Sequence, residues 1–301
     1  MSFSTQSRHS LAYVAEGAYG ITPASPSLTQ LRHTGCDLAL SKKTIESDEI
    51  RDDRQIAHLR HSLHTVRGDI DMELSYGTYD PLLAAACCSS WSDDVLKTGT
   101  DAQSLTFERA FTDINQYQVF TGCLVDELNL SVQPESLVSG RFSVLGQTMT
   151  AQGSPLDAAV DAGSAYAPMD SFSGVLEEAG AALGLVAGID LKIENGIEPA
   201  YVLGADSATA MTAGRSRISG EITAYFEDNS LIAKFINAEQ SSLKLSVSGA
   251  GGSYDILLPN ILYTGADIPV KGDRITTLTL PFVALYDGGE DTNLKITRIP
   301  L

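Results

Sequence analysis

Positive charge is scarce in this chain of 301 residues: 20 Lys and Arg stand against 38 Asp and Glu, for a formal net charge of −18. Nucleic acids and anionic membranes are polyanions, so a protein of this sign should not grip either one non-specifically. Basic patches interleaved with aromatics, the usual platforms for single strands, are absent. Long apolar runs are missing too. The nearest, "AALGLVAG", is far short of the ~18 residues that a spanning helix needs, so no membrane insertion is expected. The N-terminal stretch "MSFSTQSRHSLAYVAEGAYG" has neither the basic start nor the apolar centre of a signal peptide. Cysteine is sparse: Cys36, Cys87, Cys88 and Cys123 lack zinc-ligand spacing, and the adjacent Cys87 and Cys88 are badly placed to bridge each other. They read as reduced thiols, most of them small buried hydrophobes.

Catalytic signatures are equally thin. No G-x-S-x-G elbow and no H-E-x-x-H occur, and the glycine run "GAGGSYD" (249–255) lacks the Lys-Ser/Thr of a phosphate loop, which leaves it as a turn between strands. Three of the five histidines lie in "SDEIRDDRQIAHLRHSLH" (47–64), at His58, His61 and His64. A spacing of three drifts around a helix and alternates faces along a strand, so neither geometry converges the imidazoles on one metal. Adjacent acids such as Asp126 and Glu127 point to opposite faces of a strand and share no site. Asp69, Asp71 and Glu73 alternate with Ile70, Met72 and Leu74, giving one strand an acidic face and an apolar face. No cofactor and no metal is expected, and the chain does not read as an enzyme.

What the chain has instead is a repeat. "TGCDLAL" (34–40) leads through a polar excursion to "RGDIDMELSYGTYDPLLAAAC" (67–87), and "AGIDLKI" (187–193) leads in the same way to "SGEITAYFEDNSLIAKFINA" (219–238). Gly35, Asp37, Leu38 and Leu40 match Gly188, Asp190, Leu191 and Ile193 at a displacement of 153, and Gly68 and Ile70 match Gly220 and Ile222 at 152. Later blocks match at 137–138: Tyr117 with Tyr254, Val132 with Val270, Glu135 with Asp273. The first copy therefore carries ~15 extra residues, most economically within 87–103. Each copy predicts alternating strands around one short helix. The first helix is opened by Asp80 as a capping acid before Pro81, and the second carries a stripe of Leu231, Ile232, Phe235 and Ile236. The expected fold is mainly β with a minor α component (α+β): two tandem modules, 1–146 and 172–301, each an antiparallel β-sandwich or sheet with one short helix and a long loop. Between them 147–171, rich in Ala, Ser, Gly and Asp, is expected to be a linker or exposed arm.

The block 13–87, with "AEGAYGITP", "LRHTGCDLALSK", "SDEIRDDRQ" and "LSYGTYDPLL", resembles the tail tube proteins of long, non-contractile-tailed bacteriophages, of the kind carrying two tube modules per chain. "SGEITAYFEDNSLIAKF" is similar to the matching block of a second module. The resemblance implies a structural virion protein of the phage tail, assembled in the host cytoplasm. Its modules would join sheet edges into a wide barrel around a DNA channel. Six modules per ring is the family pattern, so three two-module chains would close one ring with pseudo-sixfold symmetry. Rings would stack through the long excursions 41–66 and 194–217, with Asp48, Glu49, Arg51, Asp52, Asp53, Arg54 and Arg60 in the stacking loop. Asp69, Asp71 and Glu73 are the candidates for lining the lumen, past which DNA would slide without specific binding. The implied partners are further copies of the chain and the tape measure, tail tip and tail terminator proteins. As the residues run out at "LKITRIPL", no appended immunoglobulin-like domain is expected. The competing readings are a tube protein of a contractile injection machine, an acidic metal-dependent enzyme built on His58, His61 and His64, and a monomeric β-rich binding module.

Overall fold

A computed structural model describes residues 3–270 and 275–301; Asp273, matched above to Glu135, lies outside the described residues. The first half contains β1 (His9–Ala15), β2 (Thr29–Leu31), β3 (Gly35–Cys36), β4 (Ala39–Glu46), β5 (Leu59–Glu73), α1 (Asp80–Ala86), β6 (Val95–Lys97), β7 (Leu105–Phe111), β8 (Gln116–Val132), β9 (Ser139–Gly146) and β10 (Thr148–Gln152). The second contains β11 (Val175–Glu178), β12 (Ala181–Ala182), β13 (Val186–Glu194), β14 (Glu198–Ala200), β15 (Ala210–Thr212), β16 (Arg217–Tyr225), α2 (Ser230–Ile236), β17 (Gln240–Gly249), β18 (Gly252–Tyr263), β19 (Thr277–Ala284) and β20 (Lys295–Pro300). The protein is mainly β, with antiparallel pairing throughout these strands and two short helices.

Alternation writes the strands. Along β5, Val66, Ile70 and Met72 are buried while Arg67 is exposed and Asp69, Asp71 and Glu73 face away from the core. Burying each such apolar side chain contributes about 1.5–3 kcal/mol, which fixes the register against a one-residue slip. One main sheet runs β4–β5–β9–β8–β13–β16–β19–β18, with β3 beside β4 on the β5 edge. Strand β8 is shared between two sheets. Its first half pairs with β7 and β10 in the order β2–β1–β7–β8–β10, and its second half pairs with β9 and β13. In the second half β18 lies between β17 and β20.

The repeat reappears in the strand registers. Cys36 opposite Ile70 becomes Ile189 opposite Ile222, and Gly68 opposite Val144 becomes Gly220 opposite Phe282. Asn129 opposite Arg141 becomes Asp267 opposite Thr279. The two recurring glycines are explained by close approach of neighbouring strands. A Cβ on Gly68 would come within 2.5 Å of Leu38 Cα, and one on Gly220 would strike the Asp190 carbonyl oxygen.

The helices depart from expectation in one respect. Asp80 does not cap α1; it is the first helical residue, and its carboxylate accepts from Tyr254 and Arg298 instead. Pro81 stands in the first turn, where its missing N–H has no helical partner to lose. Six of the seven α1 residues are buried, whereas α2 has none. The stretch 147–171 opens with β10 and then runs along the first half. Asp161 exchanges backbone bonds with Leu28 and Gln30 (both 2.8 Å), and buried Met169 donates to Leu74 O at 2.7 Å.

At the N-terminal strand, Arg109 Nε donates to His9 Nε2 at 3.0 Å, so His9 is neutral with its proton on Nδ1, 2.8 Å from His33 Nε2. Burial, the Arg109 charge and His33 together lower its pKa from 6.5 to about 4. A histidine depressed in the fold adds stability that is complete above 6.5 and is lost as pH falls from 6.5 towards 4, where the unfolded chain binds the extra proton. Thermal melts of wild type and His9→Gln should therefore differ by a margin that shrinks between pH 7.5 and 4.5; a constant margin would contradict this. Gly220→Ala should destabilise the fold by about 1–3 kcal/mol in denaturant titrations, since the added methyl meets backbone.

Candidate assembly interface

The two halves meet at sheet edges. Strand β8 pairs with β13 over six residues in the register Val132–Ile189, Leu130–Leu191 and Leu128–Ile193, with Ser131–Asp190, Asn129–Lys192 and Glu127–Glu194 between them. The first three pairs are buried. The alternate residues face away from the core, where Lys192 Nζ bridges Glu127 (3.0 Å) and Glu194 (2.8 Å). Past the end of β13, buried Asn195 continues the pairing. Its N–H donates to Asp126 O (2.8 Å), and its side-chain amide donates to Ala86 O (2.8 Å) and Val125 O (3.0 Å). Ile197 N–H donates to the Asp126 carboxylate at 2.8 Å. Burial, with Glu127 and Glu194 nearby, raises that carboxyl above its usual value, while the Ile197 N–H and Arg67 pull it back.

The second excursion folds over this seam. Its hairpin β14–β15 brings Ile197, Ala208 and Met211 onto Leu124 and Leu145 of the first half, with Tyr19 and Tyr201 at the margin. Gln147 Nε2 donates to Ala208 O, and the buried His64 donates its N–H to Asp206 O, each at 2.8 Å.

A second clasp comes from the extra residues of the first copy. There β6 adds to β20 of the other half, with Leu96 opposite Ile296. Beside it Trp91 Nε1 donates to Asp80 O (2.9 Å), and the Arg298 guanidinium lies 4.3 Å from the Trp91 ring centroid. Arg298 also pairs with Asp80 at 2.6 Å, while Tyr254 OH donates to the same carboxylate at 2.5 Å. Burial and Asp80 push the Tyr254 pKa upward, so the phenol remains a donor.

The outer face of the main sheet is polar and concave, holding a trough of about 650 Å³ lined by Asp71, Arg141, Asn129, Lys192, Arg217 and Glu221 among others. Asp69 and Asp71 lie on this face, bound by Ser143 Oγ (2.7 Å) and Arg141 Nε (2.6 Å), and Glu73 follows on the same side of β5. The first excursion stands apart from all this. Asp48, Glu49, Arg51, Asp52, Asp53, Arg54 and Arg60 are exposed, and the Arg51–Asp53 pair (2.8 Å) is internal to the loop. Ile45, Ile50, Ile56 and Leu59 are exposed there too, Ile50 at 98%. Neither do the three histidines converge. His58 ends the loop, His61 in β5 lies opposite Thr44 of β4, and His64 turns towards Asp206. Among the described residues no group of three or more His, Cys, Asp or Glu could hold a metal ion.

Among the described residues, two edges of the main sheet are left unpaired. One is β3–β4, where Arg109 caps the Leu38 carbonyl at 2.7 Å. The other is 264–270, the counterpart of the second half of β8. It follows β19 through Thr264 N–H to Pro281 O and a two-way Asp267–Thr279 pairing, with no strand beyond it among the described residues. An arginine cap on an edge carbonyl is a device that keeps a free edge from indiscriminate pairing.

Asn195 and Arg298 carried no sequence signal as contact residues, whereas Trp91 lies in the extra piece at 87–103 and reads from sequence as a packing or contact residue. Asn195→Ala should cost on the order of 1–3 kcal/mol in chemical denaturation, because two buried carbonyls lose their donor. Asp80→Ala should cost on the order of 2 kcal/mol by stranding Arg298 and the Tyr254 hydroxyl.

A family model described as phage tail tube protein matches residues 6–284. No curated protein matches the chain. With matching strand registers in its two halves, a sheet continued across them and that match over nearly its whole length, the chain belongs to the phage tail tube protein family.

Proposed function

We propose that this protein polymerises into the tube of a long, non-contractile phage tail, with three chains per ring and rings stacked into the channel for DNA. The observation that carries the reading is the β8–β13 junction. It joins unlike edges of two similar modules head to tail, and the chain leaves the same two kinds of edge free at its ends. A heterologous contact that repeats in this way generates a ring when its rotation closes. One chain alone forms an open sheet, so a closed barrel requires further copies.

The concave polar face then becomes the channel wall. Asp69, Asp71, Glu73, Glu127, Asp190, Glu194 and Glu221 outnumber Arg67, Arg141, Lys192 and Arg217 on the alternate, outward positions of the sheet. A wall of that sign repels phosphate, and three of the four basic side chains pair with acids, Arg141 with Asp71, Lys192 with Glu127 and Arg217 with Glu194. DNA would pass without the Lys and Arg contacts that create adhesion. The charged loop 47–58 supplies ring-to-ring contacts. Individual surface ion pairs contribute only about 0–1 kcal/mol, so its value lies in register and repetition along the polymer. A tape measure protein would set the length, with tip and terminator proteins at the two ends.

Negative-stain electron microscopy of concentrated protein, seeded with a tail tip, should show tubes of stacked rings with a central channel. The triple variant His58→Ala, His61→Ala, His64→Ala should still polymerise. Persistent small particles from wild type under all conditions would refute the reading. Wild-type tubes should leave a short DNA duplex in the supernatant on pelleting. Tubes of Asp69→Lys, Asp71→Lys should retain it at low salt and release it as salt rises; equal retention by both would remove the lumen assignment.

A further inference from the structure

The internal junction also determines how one chain should meet the next. The geometry assigns the chain-to-chain seam to Cys36–Ser41 of one copy paired antiparallel with 265–270 of another, in the register Cys36–Val270, Leu38–Ile268, Leu40–Ala266. This rests on the tube reading and specifies it residue by residue.

Three observations converge on that register. The first is the repeat itself. Residues of β13 map onto the β3–β4 edge by subtracting 153, and residues of the second half of β8 map onto 264–270 by adding 138. Under those displacements Leu130–Leu191 becomes Ile268–Leu38, and Asn129–Lys192 becomes Asp267–Ala39.

The second is backbone direction. In a strand, successive N–H and C=O pairs point to alternate sides. Asp37 N–H donates inward to Asp69 O, and Asp267 exchanges both bonds with Thr279. Cys36, Leu38 and Leu40, and Ala266, Ile268 and Val270, are therefore the residues whose backbone groups point outward, and the register sets them opposite one another. Pro269 falls opposite Asp37, where both chains point away from the seam and a missing N–H removes no bond. A one-residue slip would set outward groups against inward ones.

The third is uneven burial of equivalent surfaces. Ala86 at the end of α1 is fully buried and takes a hydrogen bond from Asn195, while Ile236 at the same place in α2 is 72% exposed. Leu124 and Leu145 are covered by the second excursion, while their counterparts Leu262 and Val283 are only half-buried. The first excursion, meanwhile, carries exposed Ile45, Ile50, Ile56 and Leu59. A second copy placed by the register lays the base of that arm over Leu262 and Val283, the counterparts of the surface that the second excursion covers within the chain, and leaves the charged loop 47–58 beyond the seam. The occupant is thus another copy of this protein, and the segment 264–270 completes its strand on docking.

Ala39→Cys with Asp267→Cys tests the register. Both side chains are exposed, and an opposed pair not hydrogen-bonded to each other has Cα atoms about 4.5 Å apart, within disulfide range. Ser41→Cys with Asp267→Cys is the control, two residues out of step and about 7–8 Å apart. Assembled tubes of the first variant, oxidised and dissolved in detergent without reductant, should run as covalent dimers and trimers, and tubes of the control as monomers. Should the double variant not assemble, Val270→Cys places a thiol opposite the native Cys36 and should give the same ladder. Tubes that form while the in-register pairs stay monomeric, or while the control cross-links instead, overturn this seam and leave the tube reading intact. Failure of wild type to form any ring would sink the tube reading, and this seam with it.

Discussion

An unpaired strand edge is a row of backbone donors and acceptors with only water to satisfy them, and the rest of this structure depends on how that row is managed. Within the chain, the second half of β8 is satisfied by β13, and the β20 edge is satisfied by β6. Where no partner remains, Arg109 caps the Leu38 carbonyl on one edge, and 264–270 on the other is held to β19 through Thr264 and Asp267. The cap discourages random pairing and still permits one defined partner, since a carbonyl oxygen has two lone pairs to accept with. A protein of a family that self-assembles needs that combination.

The junction inside the chain is more elaborate than an edge contact alone requires. Beyond the β8–β13 ladder it has Asn195 bridging two carbonyls, the hairpin β14–β15 on Leu124 and Leu145, and the Asp80–Arg298–Trp91 clasp. The clasp depends on residues present only in the first copy. If the same ladder recurs between chains, a ring contains two chemically different seams that share one backbone register. Duplication with one insertion would have produced that asymmetry, making half of the junctions unimolecular and leaving the others to association.

Much of this was legible in the sequence for a physical reason: alternation and repeat displacement are local signals. Ile70, Met72 and Leu74 show their buried face by period, and the displacements of 153, 152 and 138 survive as strand registers. The divergence of His58, His61 and His64 also follows from spacing. Asp80 misled because a carboxylate before proline looks like a cap; its partners, Tyr254 and Arg298, lie more than 170 positions away in the chain. Asn195 and His64 were illegible for the same reason. Each is ordinary locally and acquires its role only when the second excursion folds back on the first half. The 147–171 stretch has the composition of a loop, yet backbone bonds of Asp161 and Met169 tie it down, and composition carries no record of backbone bonds.

The most direct test of the central claim is an electron cryomicroscopy map of the assembled tube at a resolution that separates strands. The account predicts strands about 4.7–4.9 Å apart across every module boundary, between chains as within them, with β3–β4 of one copy beside 264–270 of the next. A ring in which the between-chain boundaries show a gap, or contact through side chains alone, would contradict it.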